Sequence, residues 1–200
     1  TIVSLNGSIM AILNAGQSRL FTATMGSLLS ADKPVVSNVG TYGDTPQSCS
    51  GNGEDGTVDQ IAPVNMLGQR YMLVRGEGTL GTGPNDPEQS TIIASEANTS
   101  VQITNYDASG NFINTVTQNL ANAGSYITIH HGDALNKYSS SFVNATKPII
   151  VFSATAVDCE TDISAVLPIG GCAGSTNIIT RKFISFNNTD LSYFGYTILE

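Results

Sequence analysis

Thr99–Tyr106 reads TSVQITNY and decides the fold class of this chain. Val101 and Ile103 fall on one face of an extended segment and the polar residues between them fall on the other, which is the period-two pattern of a β-strand with one solvated face. The same alternation occurs in residues 125–130 and 195–199. The sequence therefore predicts an all-β protein whose antiparallel sheets stack as a β-sandwich. An arrangement of propeller-like blades is the alternative.

Other segments fit this expectation. Residues 2–5 read as an opening strand, and residues 106–111 read YDASGN, a turn that joins two strands into a hairpin. Residues 147–152 read KPIIVF, a continuous apolar run opened by proline, which predicts a strand buried on both faces. Nothing helical is expected beyond short turns within residues 133–137.

Charge is scarce in this chain. Charged residues make up 12% of the sequence, which is about half the share that is usual in soluble proteins. Eight basic residues and a net charge of −8 provide no basic stripe, so we expect no nucleic-acid partner. No apolar run approaches the length of a membrane span. No signal-peptide pattern precedes the first strand, so the sequence reads as a mature form or an excised fragment.

The chain repeats itself, with five features in the same order in each copy. They are an Asn-Ala-Gly turn, a strand, a Lys-Pro step with aliphatic residues, an acidic loop with a cysteine, and an aliphatic-Pro-aliphatic element. Self-similarity of this kind indicates two divergent copies of one structural unit. The features fall at residues 14–16, 21–23, 33–36, 49–59 and 61–64 in the first copy, and at 122–124, 126–129, 147–150, 158–162 and 166–169 in the second.

The order of these features predicts how the chain divides. Residues 1–80 would hold the end of a first repeat and the start of a second. Residues 81–200 would hold the remainder of the second repeat and the start of a third. We expect them to form one compact module or two closely packed β modules.

The three cysteines leave two interpretations open. Cys159 and Cys172 flank a Gly-rich stretch, and a disulfide that closes so short a loop would add about 3 kcal/mol. The alternative is three buried free thiols, with Cys49 among them. The scarcity of lysine slightly favours an oxidising compartment and therefore the disulfide.

A family resemblance rests on the first copy. Residues 33–36 (KPVV), a cysteine loop, then residues 59–64 (DQIAPV) and 67–71 (LGQRY) resemble the N-terminal domain family of the IgG-Fc-binding mucus protein. Residues 92–98 resemble the strand that follows the aromatic one in that family. The resemblance implies an extracellular or cell-surface protein, often one module of a long adhesive polypeptide. It implies no particular set of immunoglobulin-binding residues.

Two groups of side chains are candidates for metal binding. Glu54, Asp55 and Asp59 lie in an acidic loop with the oxygen ligands that calcium favours, although their spacing is not that of an EF-hand. We predict a weak calcium site there or, alternatively, a solvated acidic loop, and no other cofactor. His130 and His131 are neighbours on a strand, so they point to opposite faces and are expected to be solvated residues rather than ligands of one metal.

Four asparagines begin N-x-S/T sequons. In a chain this rich in Asn, Ser and Thr, chance alone supplies a similar number, so these sites permit glycosylation without arguing for it. They are Asn6, Asn98, Asn144 and Asn187.

No motif indicates catalysis. The sequence contains no G-x-S-x-G elbow and no pairing of carboxylates of the kind that glycosidases use. We therefore predict a non-enzymatic extracellular structural or adhesive module of a cell-surface, filament or matrix protein, with a protein or glycan ligand. The alternative is a carbohydrate-active or proteolytic enzyme whose site is not recognised.

Strand pairing is the expected mode of association with other modules. Residues 1–12 and 191–200 read as strands that lack neighbours of their own unit, and unpaired strand edges invite pairing with another chain. The predicted partners are other copies of this chain or neighbouring modules. Pairing of the two segments with each other is the alternative.

Overall fold

The computed structural model describes residues 1–43, 55–74, 88–130, 138–157, 160–170, 183–184 and 190–191. Within them, every regular element is a β-strand apart from one 3-10 turn at Val64–Met66. All strand pairings there are antiparallel. The predicted all-β antiparallel class is confirmed, whereas the two-repeat sandwich, the blade alternative and the boundary at residue 80 stay predictions.

The strands are β1 Ile2–Leu5, β2 Ser8–Ile12, β3 Leu29–Ala31, β4 Asn38–Gly43, β5 Asp55–Gln60, β6 Gly68–Val74, β7 Glu88–Ala94, β8 Thr99–Tyr106, β9 Phe112–Leu120, β10 Tyr126–His130, β11 Ser140–Val157, β12 Glu160–Ala165, β13 Phe183–Ile184 and β14 Asp190–Leu191.

The largest sheet is organised around β11. The first half of β11 pairs with β6 and β8, and its second half pairs with β7 and β12. Ile149 pairs with Gly68 of β6 and with Ala94 of β7, so β6 and β7 lie on opposite sides of β11. β7 and β8 therefore follow one another along one side, and β12 and β6 along the other. β10 and β9 pair with the outer sides of β7 and β8, so seven strands form four long rows.

Each row beside β11 consists of two strands placed end to end, and the junctions between them lie at the same level along β11. They are the junctions between β7 and β8, between β9 and β10, and between β12 and β6, and we call this level the break. The register between β11 and β6 also shifts there, just before Ile149. Ser95 binds across the break, donating to the carbonyl of Pro148 from its N–H at 3.4 Å and from its hydroxyl at 2.5 Å. Pro148 lies within the break, where the ladder is already interrupted and the missing proline N–H is tolerated.

The core is a single cluster drawn from both halves of this broken sheet. Alternate residues of each strand point into it, as the period-two pattern predicts. Ile149 and Val151 are buried, but Ile150 and Phe152 remain partly exposed, so the prediction that residues 147–152 are buried on both faces is wrong. Only one face of β11 packs against the cluster. Its members are Tyr71, Leu73, Ile92, Ala94, Val101, Ile103, Leu120, Val143, Ala145, Ile149 and Val151.

Tyr71 connects β6 to the break. Its side chain is 1% exposed, and its hydroxyl donates to the carbonyl of Ile149 at 2.6 Å and accepts the N–H of Gly68 at 3.0 Å. A Cβ on Gly68 would lie 2.3 Å from Cβ of Pro168, so only glycine allows the chain after β12 to pack this closely on β6. The Gly-x-x-Tyr sequence thus serves both the hydrogen bonds and the packing.

The small sheet, β2-β1-β3, copies part of the large one. Val3 of β1 pairs with Ala31 of β3, as Val101 of β8 pairs with Ala145 of β11. β1 and β2 form a hairpin, as do β8 and β9. The sheet β2-β1-β3 is therefore equivalent to β9-β8-β11, and the Lys-Pro step follows β3 and interrupts β11 at equivalent positions.

The later part of each copy also matches. β4 and β5 pair as a hairpin, as do the end of β11 and β12. The N–H of Ile61 donates to the carbonyl of Ser37 at 3.0 Å, and the N–H of Val166 donates to the carbonyl of Val151 at 2.9 Å in the same place. One difference is that the strand expected at residues 21–23 is not formed in the first copy.

Glycine turns bring the two sheets together. Gly16 and Gly124 occupy the two Asn-Ala-Gly turns with φ of +79° and +81°, a conformation that favours glycine. Gly26, with φ of +82°, lies against Gly124, and a Cβ on either residue would come within 2.3 Å of the carbonyl oxygen of the other. Their backbones therefore touch without intervening side chains.

Candidate binding surface

β9 forms an open edge of the large sheet. It has no outer partner among the described strands, and Phe112–Leu120 contains neither a charged residue nor proline. Phe112, Ile113 and Val116 are 63%, 37% and 40% exposed. Proteins usually protect exposed edges with charge, proline or short strands. This nine-residue edge has none of these protections.

The backbone groups of β9 alternate between β8 and the open side. The N–H of Asn98 donates to the carbonyl of Ala121 at 3.0 Å, which sets the phase of the ladder between β8 and β9. By that phase the N–H of Thr117 points toward β8, while those of Val116 and Gln118 point outward. Gln118 is exposed as well. The edge therefore presents backbone donors and acceptors that no described strand pairs with, next to apolar side chains.

A buried polar network anchors the start of β9. Ser141, which is fully buried, donates from its hydroxyl to Oδ1 of Asn105 at 2.5 Å. Nδ2 of Asn105 donates to Oδ1 of Asn114 at 2.8 Å, and Nδ2 of Asn114 donates to the hydroxyl of Tyr138 at 3.2 Å. The chain of hydrogen bonds runs from β11 through β8 to β9, and it holds the edge strand in a fixed register.

The hairpin turn between β8 and β9 is also ordered by side chains. Asp107 accepts the N–H groups of Ser109 and Asn111, each at 2.8 Å, and the Asn111 amide at 3.0 Å. The hydrogen bond from the Asn111 side chain, followed by that from its backbone, lowers the pKa of Asp107. Gly110 closes the turn with φ of +79°. The predicted hairpin at residues 106–111 is present.

The proposed calcium ligands are placed only in part. Asp59 accepts the N–H of Gln60 at 2.7 Å and a short hydrogen bond from the N–H of Ala165, so its carboxylate joins β5 to β12. Asp55 begins β5, and Glu54 lies outside the described residues. Within the described residues no three His, Cys, Asp or Glu side chains are grouped to hold a metal ion. The calcium site stays a prediction.

The sequons occupy different environments. Asn6 lies in the β1–β2 turn with φ of +50°, and its Oδ1 accepts the N–H of Leu28 at 2.8 Å. Asn98 is exposed with φ of +57°, and Asn144 is exposed on β11. Asn187 lies outside the described residues, so glycosylation of all four stays a prediction.

The remaining candidates fall largely outside the described residues. Cys49, Cys159 and Cys172 all do, and their disulfide stays a prediction. His130 ends β10 opposite Gln89, whereas the position of its neighbour His131 is not described. The expected turns within residues 133–137 and the strand at 195–199 are also outside.

The sequence does not predict the open edge of β9 and points to the two ends of the chain instead. Phe112–Leu120 does read as a strand, because it contains nine residues of strand-forming character without Lys, Glu or Pro. Such a stretch alone does not show whether its strand lies at the centre or at the edge of a sheet, because that depends on pairing with distant strands.

Comparisons with known proteins identify one family. The family model described as IgGFc binding protein matches residues 3–156, which includes β2 to β10 and all but one residue of β1 and of β11. No curated protein and no solved structure matches the chain. In the described part of the chain, no helix is long and apolar enough to cross a membrane.

Proposed function

Because the chain belongs to the IgGFc binding protein family, we propose that it is a non-enzymatic extracellular structural or adhesive module that binds a protein partner through the open edge of β9. The family is described by binding and not by a reaction. An edge strand with free backbone groups adds an extended segment of another protein by main-chain hydrogen bonds, and neighbouring side chains supply specificity.

The exposed, uncharged edge of β9 is the observation that carries this proposal. Phe112 and Val116 offer apolar contact, and the outward N–H groups of Val116 and Gln118 offer donors. β9 itself contains no charged residue that would repel a partner strand. We propose that the module acts outside the cell, at the cell surface or in an extracellular matrix.

The test uses the full chain immobilised on a biosensor, with IgG Fc as the first protein probe and a glycan array beside it. Gln118→Pro removes an outward N–H and leaves the ladder to β8 intact, whereas Gln118→Thr keeps the N–H and serves as the matched control. We expect Fc binding to weaken about tenfold or more in the proline variant, because a main-chain hydrogen bond and the approach of the partner strand are both lost.

Two results would count against the proposal. Equal Fc binding by both variants would show that β9 is not part of the interface. Turnover of peptide or glycan substrates by the full chain, without stable binding of any probe, would favour the rival interpretation of a carbohydrate-active or proteolytic enzyme.

A further inference from the structure

Val3 of the small sheet is buried, but two further apolar positions that are buried in the large sheet are not buried in the small one. Val35 follows the first Lys-Pro step as Ile149 follows the second. Ile149 is fully buried, whereas Val35 is 45% exposed. Leu29 of β3, which is equivalent to the fully buried Val143, is only half-buried. Within the described residues, these two positions of the small sheet therefore lack the cover that their counterparts in the large sheet have.

In the large sheet, β6 and β7 provide that cover. β6 pairs along the first half of β11 and contributes Tyr71 and Leu73 to the core, and β7 contributes Ile92. Both strands follow the first copy in sequence, yet they pair with β11 of the second. The strands that cover the core of the second copy are therefore β6 and β7, which come directly after the first copy in sequence.

The outer edge of β3 is positioned to accept a strand equivalent to β6. Asp32 donates its N–H to the carbonyl of Ile2 at 3.2 Å, which sets the phase of the β1–β3 ladder. By alternation, the N–H groups of Leu29 and Ala31 point away from β1. No described strand pairs with β3 on that side.

We propose that the small sheet binds a Gly-x-x-Tyr strand of the β6 kind, presented by another repeat of the same family. The register of β6 on β11 then applies to β3: the incoming tyrosine lies opposite Leu29, as Tyr71 lies opposite Val143. Its hydroxyl donates to the carbonyl of Val35, as that of Tyr71 does to Ile149. Repeats would thereby be linked in series, each covered by a strand from its neighbour. This surface is separate from β9, so the proposal does not depend on the binding function described above.

The probe is a labelled synthetic peptide with the sequence of residues 63–74 and a lysine tail for solubility. It is titrated into the full chain by fluorescence anisotropy, and amide hydrogen exchange of Leu29 is measured with and without it. Leu29→Pro removes the outward N–H at the position whose counterpart, Val143, pairs with Tyr71, while leaving the ladder to β1, and Leu29→Val keeps that N–H as a matched control. A second peptide carries Tyr71→Ala, which tests the same contact without altering the folded chain.

We expect the peptide to bind the natural chain and the Leu29→Val variant with similar affinity and to slow exchange at Leu29. Binding should weaken about tenfold or more for Leu29→Pro and for the Tyr71→Ala peptide, since each removes hydrogen bonds of the added strand. Equal binding to Leu29→Pro and to the natural chain would overturn the proposal, because the peptide would then bind elsewhere, for example in place of β6. Protection of the Leu29 amide before peptide is added would also overturn it, because residues of the chain itself would already occupy the edge.

Discussion

Removal of the Tyr71 hydroxyl tests how the broken sheet is held together. Tyr71→Phe keeps the ring but leaves the Ile149 carbonyl and the Gly68 N–H without the partner they have at 2.6 and 3.0 Å. A buried polar group that loses its partner costs about 1–3 kcal/mol. Gly68 is only partly buried and water can reach it, so most of the loss comes from Ile149. We expect the free energy of unfolding to fall by about 2 kcal/mol.

Urea unfolding followed by circular dichroism measures this loss, and the m-value should remain unchanged because the native fold is kept. Tyr126→Phe is the matched control, since that ring lies on β10 and is 50% exposed. Its effect should stay within about 0.5 kcal/mol. Equal destabilisation by the two substitutions would refute the argument that Tyr71 bridges β6 and the break in β11.

The pH dependence of unfolding gives a second test of the same residue. Burial raises the pKa of Tyr71, and the N–H of Gly68 opposes this shift without cancelling it. The phenol is therefore neutral in the folded protein at a pH where it ionises in the unfolded chain. Stability should fall as the pH rises above about 10, the ordinary pKa of tyrosine. Tyr71→Phe should remove this part of the alkaline loss, and an unchanged profile would contradict the assignment.

Three further substitutions test individual contacts. Gly68→Ala should lower the free energy of unfolding by about 1–3 kcal/mol, because its Cβ would lie 2.3 Å from Cβ of Pro168; a urea midpoint equal to that of the natural chain would contradict this packing. Gly26→Ala should destabilise the chain more than Gly16→Ala in thermal unfolding. Both glycines have φ near +80°, but only at Gly26 would a Cβ lie against a neighbouring backbone, 2.0 Å from a carbonyl oxygen. Equal losses of stability would mean that the contact between the sheets is not maintained. The ionised carboxyl of Asp107 should contribute to the free energy of unfolding above about pH 4, and this contribution should be lost as the pH falls through the lowered pKa of the group. Asp107→Asn should remove the contribution at every pH. Parallel acid-unfolding curves for the two proteins would refute the role of its turn hydrogen bonds.

Local pattern was enough to predict the strand class but not the path of the strands. Val101 and Ile103 alternate with polar residues, and that local period identifies β8 without reference to any other segment. The sequence predicts Pro148 at the start of a strand, but it lies in the middle of β11. This position is tolerated only because the rows break there, and the break depends on contacts such as that of Ser95, which is distant in sequence.

The binding surface was harder to predict for the same reason. Whether Val116 is buried or exposed depends on whether another strand lies beyond β9, and the sequence of β9 carries no information on that point. The internal repeat was visible in the sequence, but the exposure of Val35 required the structure, since its equivalent Ile149 is buried under strands that follow a different copy.

The pairing of β6 with β11 also has a consequence for synthesis of the chain. Val74 of β6 pairs with Ser140, which is made about 66 residues later. At about 5–20 residues per second, β6 therefore waits several seconds for its partner after it is synthesised. Contacts this distant along the chain also slow folding once synthesis is complete. During this interval a nascent β6 is available to any acceptor edge nearby, so the timing of translation and the spacing of neighbouring nascent chains become determinants of which copy it joins.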